Sequence, residues 1–212
     1  MEKLIQNLIY FHAFFGAIGL ITGALSIIVK KGANVHRKTG RIFSYSMIIS
    51  SIISLVIAQM PNHENTFLFS IGIFTIYLVL SGNRALTFQS KIKTGAEIVD
   101  KIISGGMFLI SLIMITLGIL GIIQAIGFSV LYAFFGGFGL FLSVNDFRNF
   151  HKHHQNKKSW LAIHIGRMVG AYIATTTAFL VVALQTNSLF FWISPTIVGT
   201  TGIIYWIRKS QK

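Results

Sequence analysis

The sequence contains no cysteine. Disulfides, thiolate metal sites and thioether-linked haem are therefore excluded. Acidic residues are scarce: five Asp and Glu stand against 18 Lys and Arg, for a formal net charge of +13. Charged residues of both signs make up 11% of the chain, against about 25% in an average soluble domain. The alternation of apolar and polar residues that marks a transmembrane barrel is missing. So are a glycine-rich phosphate loop, a nucleophile elbow and a zincin motif.

What is present is apolar sequence in long runs. Hydrophobic residues make up 53% of the 212 positions. A soluble fold of this length could not hide that much apolar surface, because surface grows too fast relative to volume in small domains. Runs of about 18 or more apolar residues read as membrane spans, and backbone groups in lipid must be satisfied within the segment, so the spans are helices. Seven are expected, near 4–29, 42–60, 67–86, 103–123, 128–144, 160–184 and 190–207. The N-terminal run is too long for a signal-peptide core and reads as a retained helix. The fold class is all-α, a polytopic transmembrane helix bundle, with residues 1–212 forming one transmembrane domain.

The positive charges set the expected orientation. Sixteen of the 18 Lys and Arg fall in the segments after the first, third and fifth spans and in the C-terminal tail. Lys3 and Arg167 are the exceptions. Basic loops stay in the cytoplasm, which puts the N-terminus outside and the C-terminus inside. The expected location is the bacterial cytoplasmic (inner) membrane. This placement also explains the net charge without nucleic acid, since the basic residues lie between spans and not on one folded face. Anionic lipids are the expected partners of the basic loops. Trp160, Trp192 and Trp206 lie near span ends, as interfacial aromatics do.

An internal repeat is expected from matching segments. Phe14-Phe15-Gly16-Ala17-Ile18-Gly19-Leu20 parallels Phe134-Phe135-Gly136-Gly137-Phe138-Gly139-Leu140, and Gly40-Arg41-Ile42 parallels Gly166-Arg167-Met168. The two halves would be 4–86 and 128–207, joined by a linker helix at 103–123. Parallel three-plus-one-plus-three repeats of this kind occur in transporters. Gly16, Gly19, Gly23, Gly136, Gly137 and Gly139 provide small faces for close helix packing, and such faces also suit a homo-oligomer.

Ionisable residues inside a membrane are costly, so they are the default site candidates. Arg167 lies inside the sixth span, with His164 on the same face at i−3. Asp146, at the inner end of the fifth span, is the expected counter-ion. Arg167 then either pairs with Asp146 structurally or receives an anionic ligand. Asn83 and Arg84 close the third span on the same side. Together Arg167, His164, Asp146, Asn83 and Arg84 form a candidate polar binding site in the cytoplasmic half.

The histidines offer a second reading. His12 lies about eight residues into the first span, His36 in the first basic loop, His63 in the second loop and His164 in the sixth span. Haem b ligation or a proton relay would use them. Against that, no two face each other at equal depth. His151, His153 and His154 have no carboxylate or thiolate to complete a metal site. A lipid-phosphate enzyme is a third reading, for which His164 and Arg167 lack an acid or nucleophile partner.

Several short segments, in order, resemble the bacterial membrane proteins of domain-of-unknown-function family 2306. They are Lys31-Gly32 to His36-Arg37 with Gly40-Arg41; His164-Ile165-Gly166-Arg167-Met168 with Tyr172-Ile173-Ala174 and Thr177-Ala178-Phe179; and Trp192 to Pro195, Gly199, and Tyr205-Trp206-Ile207-Arg208-Lys209. The resemblance covers most of the chain and implies a multi-pass bacterial membrane protein without an assigned activity. The leading functional expectation is a non-enzymatic protein that binds or transports a small ligand; the alternative is a b-type haem redox protein.

Overall fold

Seven helices follow one another in the computed structural model, which describes residues 2–89, 95–151, 159–186 and 188–211. They are α1 (Glu2–Ile28), α2 (Asn34–Ile57), α3 (Thr66–Ala85), α4 (Ile98–Ile123), α5 (Ser129–His151), α6 (Ser159–Ala183) and α7 (Leu189–Gln211), with a short 3-10 turn, Leu86–Gln89, extending α3. Each is long and apolar enough to cross a membrane. Large side chains such as Ile21, Ile28, Leu109, Ile123, Phe141 and Val198 point outward, on the surface a bilayer would cover. Parts of the basic segments, including Lys91, Lys93, His153, His154, Lys157 and Lys158, lie outside the described residues.

Two helices run further than expected. α2 starts at Asn34, not near Ile42, so Arg37, Lys38 and Arg41 sit on its opening turns. α5 continues through Asp146 to His151, where a loop was expected from residue 145. The reason is the same in both places. Long basic side chains lay their stems on a helix and keep their heads in water, so charge at a span end does not stop the helix. The turn between α1 and α2 is made by Gly32, whose φ of +76° lies in the left-handed region that favours glycine. The Asn65 side chain accepts from the Leu68 amide at 3.0 Å and so starts α3.

α3 is the central helix and touches α2, α4, α5 and α6. α1 pairs with α2, α4 with α5 and α6 with α7, while α1 also rests on α6. In terms of the expected repeat, α2–α3 has its counterpart in α6–α7, whereas α1 lies along α2 and α5 lies along α4. Successive helices run in opposite directions. One end of the bundle, called here the basic end, therefore carries the last turns of α1, α3, α5 and α7 and the first turns of α2, α4 and α6.

Small residues set the tightest contact. The buried positions of α4 are Asp100, Ser104, Met107, Ser111, Met114, Gly118 and Gly121, spaced alternately four and three apart along one stripe. Opposite them on α5, Gly139 faces Met107 and Ser111, Gly136 faces Met114 and Ile115, and Gly118 faces Ala133. Gly16, Gly19 and Gly23 give α1 a similar face, against Ser50, Met47 and Tyr172. Gly137 differs from the other expected packing glycines, for it has open space around it. Towards the other end, Phe67 of α3 joins Tyr132 and Phe135 of α5 and Trp192 of α7, at ring distances of 5.0, 5.9 and 5.4 Å. Trp192 is thus a packing residue as well as a residue near a helix end.

Candidate functional site

Four helices meet around one carboxylate. Asp146 of α5 is 3% exposed. Its Oδ1 accepts from the Arg167 guanidinium of α6 at 2.6 Å. Its Oδ2 accepts from the Tyr77 hydroxyl of α3 at 2.6 Å and the Ser104 hydroxyl of α4 at 3.0 Å. Arg167 also donates to the Leu142 carbonyl at 2.9 Å and stands 5.3 Å from the centre of the Tyr77 ring. Removing a charge from water costs several kcal/mol, and this many partners is what offsets that cost. Arg167 Nε is buried with no hydrogen-bond partner among the described residues. An unpaired buried donor costs roughly 1–3 kcal/mol, which a water or ligand acceptor would remove.

Close approach of α3 and α6 makes the arrangement possible. Gly82 packs where a Cβ would come within 2.9 Å of both the Arg167 Cβ and the Met168 Sδ. The missing side chain lets α6 carry Arg167 across to α5.

A second ionic group lies nearer the basic end. Arg84 forks onto Asp100 of α4, with Nε to Oδ1 at 2.6 Å and an Nη to Oδ2 at 3.2 Å, and reaches Glu97 at 2.6 Å. Glu97 and Asp100 also form the capping box that begins α4. Three of the chain's five acidic residues are thus gathered here. Between the two ionic groups lies a cavity of about 30 Å³, room for about one water. Its polar wall is Ser81, Arg84, Asp100, Ser104, Asp146 and Asn149. Phe88 and Phe150, stacked at 6.0 Å, and Trp160 close its apolar side.

The structure joins some of the expected site residues and separates others. Asp146 and Arg84 line the cavity, and Arg167 is held against Asp146. The counter-ion reading of Asp146 therefore describes what is found. Asn83 bonds Ser44 of α2 at 3.0 Å, and His164 bonds the Gly82 carbonyl at 2.9 Å through Nδ1. Both serve as links between helices and neither lines the cavity. Tyr77, Ser104, Glu97 and Asp100 were not expected. The Glu97-x-x-Asp100 spacing was a legible sign of a helix start. Nothing in the sequence marked Tyr77 or Ser104.

The haem expectation is corrected. With no cysteine in the chain, no group of three or more His, Cys, Asp or Glu is gathered among the described residues. The histidines are instead dispersed as separate links. His12 of α1 meets the Ser50 carbonyl at 3.0 Å while the Ser50 hydroxyl bonds the His12 carbonyl. His36 meets the Ser26 carbonyl at 3.0 Å, and His164 joins α6 to α3. His63 is exposed in the turn between α2 and α3. Of the loop histidines read as a weak metal set, His153 and His154 lie outside the described residues.

No protein-family model, curated protein or solved structure matches the chain. The fold and site therefore define an all-α bundle of seven potential membrane-crossing helices with a buried ionic node at its basic end.

Proposed function

We propose that the chain is a multi-pass membrane protein that binds or carries a small polar ligand of no net charge in the cavity between α3, α4, α5 and α6. The observation that carries this reading is the paired charge of the wall. Asp146 is matched by Arg167 and Asp100 by Arg84, while Glu97, the exposed outer partner of Arg84, stands off the cavity wall. A net charge entering such a low-dielectric, balanced site would meet no opposite charge to offset its lost hydration. The anionic ligand considered for Arg167 is therefore disfavoured, since Asp146 already occupies that guanidinium. A hydroxylated or zwitterionic ligand can instead share the hydrogen bonds of Ser81, Asn149 and Arg84. The cavity is small, so a ligand larger than a water requires the Arg84–Asp100 pair or the Phe88–Phe150 stack to move.

Ser81→Leu fills the cavity and substitutes no residue of either ion pair. In a thermal-shift screen of small polar solutes, at least one compound should raise the wild-type midpoint and leave Ser81→Leu unmoved. If every active compound shifts both proteins alike, the cavity is not the binding site.

The membrane orientation belongs to the same reading. The basic end would face the cytoplasm of a bacterial inner membrane, with the N-terminus outside. A fluorescent or phosphatase reporter fused after Lys212 should report the cytoplasmic side; an external signal there would overturn the orientation. The resemblance to family 2306 rests on its motifs alone, and membership is proposed with the function.

A further inference from the structure

A different corner of the basic end has charge without a counter-charge. Lys31, in the turn after α1, places its ammonium 4.8 Å from the centre of the Trp206 ring of α7. Lys209 reaches the same ring at 5.3 Å and the Tyr205 ring at 5.8 Å. Lys31 does not arrive there by chance of a free side chain. Its ammonium donates to carbonyls at the end of α1, those of Ser26 at 3.1 Å, of Ile27 and of Val29 at 3.4 Å, which fixes its position. Such a contact is favourable at the negative end of a helix dipole.

Two ammonium groups on one indole repel each other, and no Asp or Glu stands between them. All five acidic side chains are placed elsewhere. Glu2 opens α1 at the other end, Glu64 lies in the turn before α3, and Glu97, Asp100 and Asp146 belong to the α3–α6 site. Lys30 and Arg208, their neighbours in sequence, add further positive charge. The apolar flanks are equally open. α1 and α7 are the least buried helices of the bundle, and both rest on α6. Below the lysines, Leu25 and Ile28 of α1 and Ile204 of α7 point outward. An anion that carries hydrocarbon beneath it matches both features.

We propose that Lys31, Trp206 and Lys209 form a specific site for one anionic phospholipid. Its phosphate lies between the two ammonium groups and its acyl chains run along α1 and α7. The site differs from diffuse attraction of basic loops to a charged bilayer. It is a pair of cations held on one aromatic platform, built from segments far apart in sequence.

The test uses the full chain purified in detergent, with phosphatidylglycerol and phosphatidylcholine as probes. Retained lipids are counted by native mass spectrometry and the melting midpoint is followed in parallel. Wild type should keep one phosphatidylglycerol and gain more stability from it than from phosphatidylcholine. Lys31→Gln/Lys209→Gln should bind phosphatidylglycerol roughly 30-fold more weakly, about fivefold for each lysine near the surface. Lys38→Gln/Arg41→Gln removes the same charge from the same end and should bind as wild type does. Lys209→Gln alone covers the case in which loss of Lys31 frays α1, because Lys209 makes no contact with the α1 carbonyls; it should still weaken binding about fivefold. Equal losses in the two double variants would show diffuse surface charge and overturn the site. So would equal retention of the two lipids, or retention that survives removal of both lysines.

Discussion

Asp146→Ala is expected to destabilise the folded bundle by about 3–5 kcal/mol, the usual cost of removing one partner from a buried ion pair. The variant leaves Arg167 charged at 5% exposure, with only the Leu142 carbonyl and the Tyr77 ring beside it. It also strands the Tyr77 and Ser104 hydroxyls, which both donate to the lost carboxylate. The double variant Asp146→Ala/Arg167→Met should recover a large part of the loss, because no charge is then left unpaired in the interior. Arg167→Met alone should be intermediate, since Asp146 keeps two hydroxyl donors. The measurement is a double-mutant cycle from unfolding in mixed micelles, where polar contacts between helices often count for less than in water. Additive losses, with the double variant the least stable of the set, would show that the two charges are not coupled. The same series separates fold from function. A ligand that still binds the double variant has no need of the pair.

Gly118→Val is expected to disrupt the α4–α5 hairpin, at a cost above the 1–3 kcal/mol usual for overpacking. A Cβ at Gly118 would come within 2.5 Å of the Ala133 backbone nitrogen and 2.9 Å of its Cα. Backbone cannot rotate away as a side chain can, so the helices must separate. Gly139 is the instructive contrast. Its Cβ would meet the Met107 Cε at 2.5 Å and the Ser111 Oγ at 2.6 Å. These are ends of side chains, and Met107 is flexible. Gly139→Ala should therefore cost less than Gly118→Ala. Gly137→Ala has open space around it and should be neutral or stabilising by up to about 1 kcal/mol through helix propensity alone. Melting midpoints of these variants in one detergent should rank Gly137→Ala highest and Gly118→Val lowest. A Gly118→Val protein as stable as wild type would mean that α4 and α5 are not packed at this distance.

Much of this was readable from composition and order. Seven apolar runs give seven helices because a long apolar segment has only one way to satisfy its backbone in lipid. Their ends were less legible, and α2 and α5 both ran past the expected boundary. The rule that charge ends a span ignores how easily a basic side chain on a helix reaches water. Arg167 and Asp146 could be chosen as partners because an acid and a base within apolar sequence are each intolerable alone. Arg84 was legible as a charge at a span end, but not as a fork onto Asp100, since that pairing depends on α4 standing beside α3.

The histidines were less legible. Seven in a chain of this kind suggest ligation, yet the ring nitrogens of His12, His36 and His164 go to backbone carbonyls of neighbouring segments. Sequence reports that a group can coordinate. It does not report whether the fold brings such groups to one place, and these three meet three different segments, at Ser50, Ser26 and Gly82. Asn83 likewise meets Ser44 of α2 and stands off the cavity wall, a position set by which helices pack together.

The sequence by itself determined the class of fold, the number of helices, the end at which positive charge collects and the need for a counter-ion to Arg167. These follow from transfer energies, which depend on residue type and on neighbours along the chain. Only the tertiary structure decided that Tyr77 and Ser104 complete the Asp146 node, that the Asp146 and Arg84–Asp100 groups flank one cavity, and that Lys31 and Lys209 share Trp206. These depend on which helix faces lie against each other. Glycines at Gly82, Gly118, Gly136 and Gly139 set that geometry by how closely the backbones approach, and one apolar run looks much like another until those distances are known.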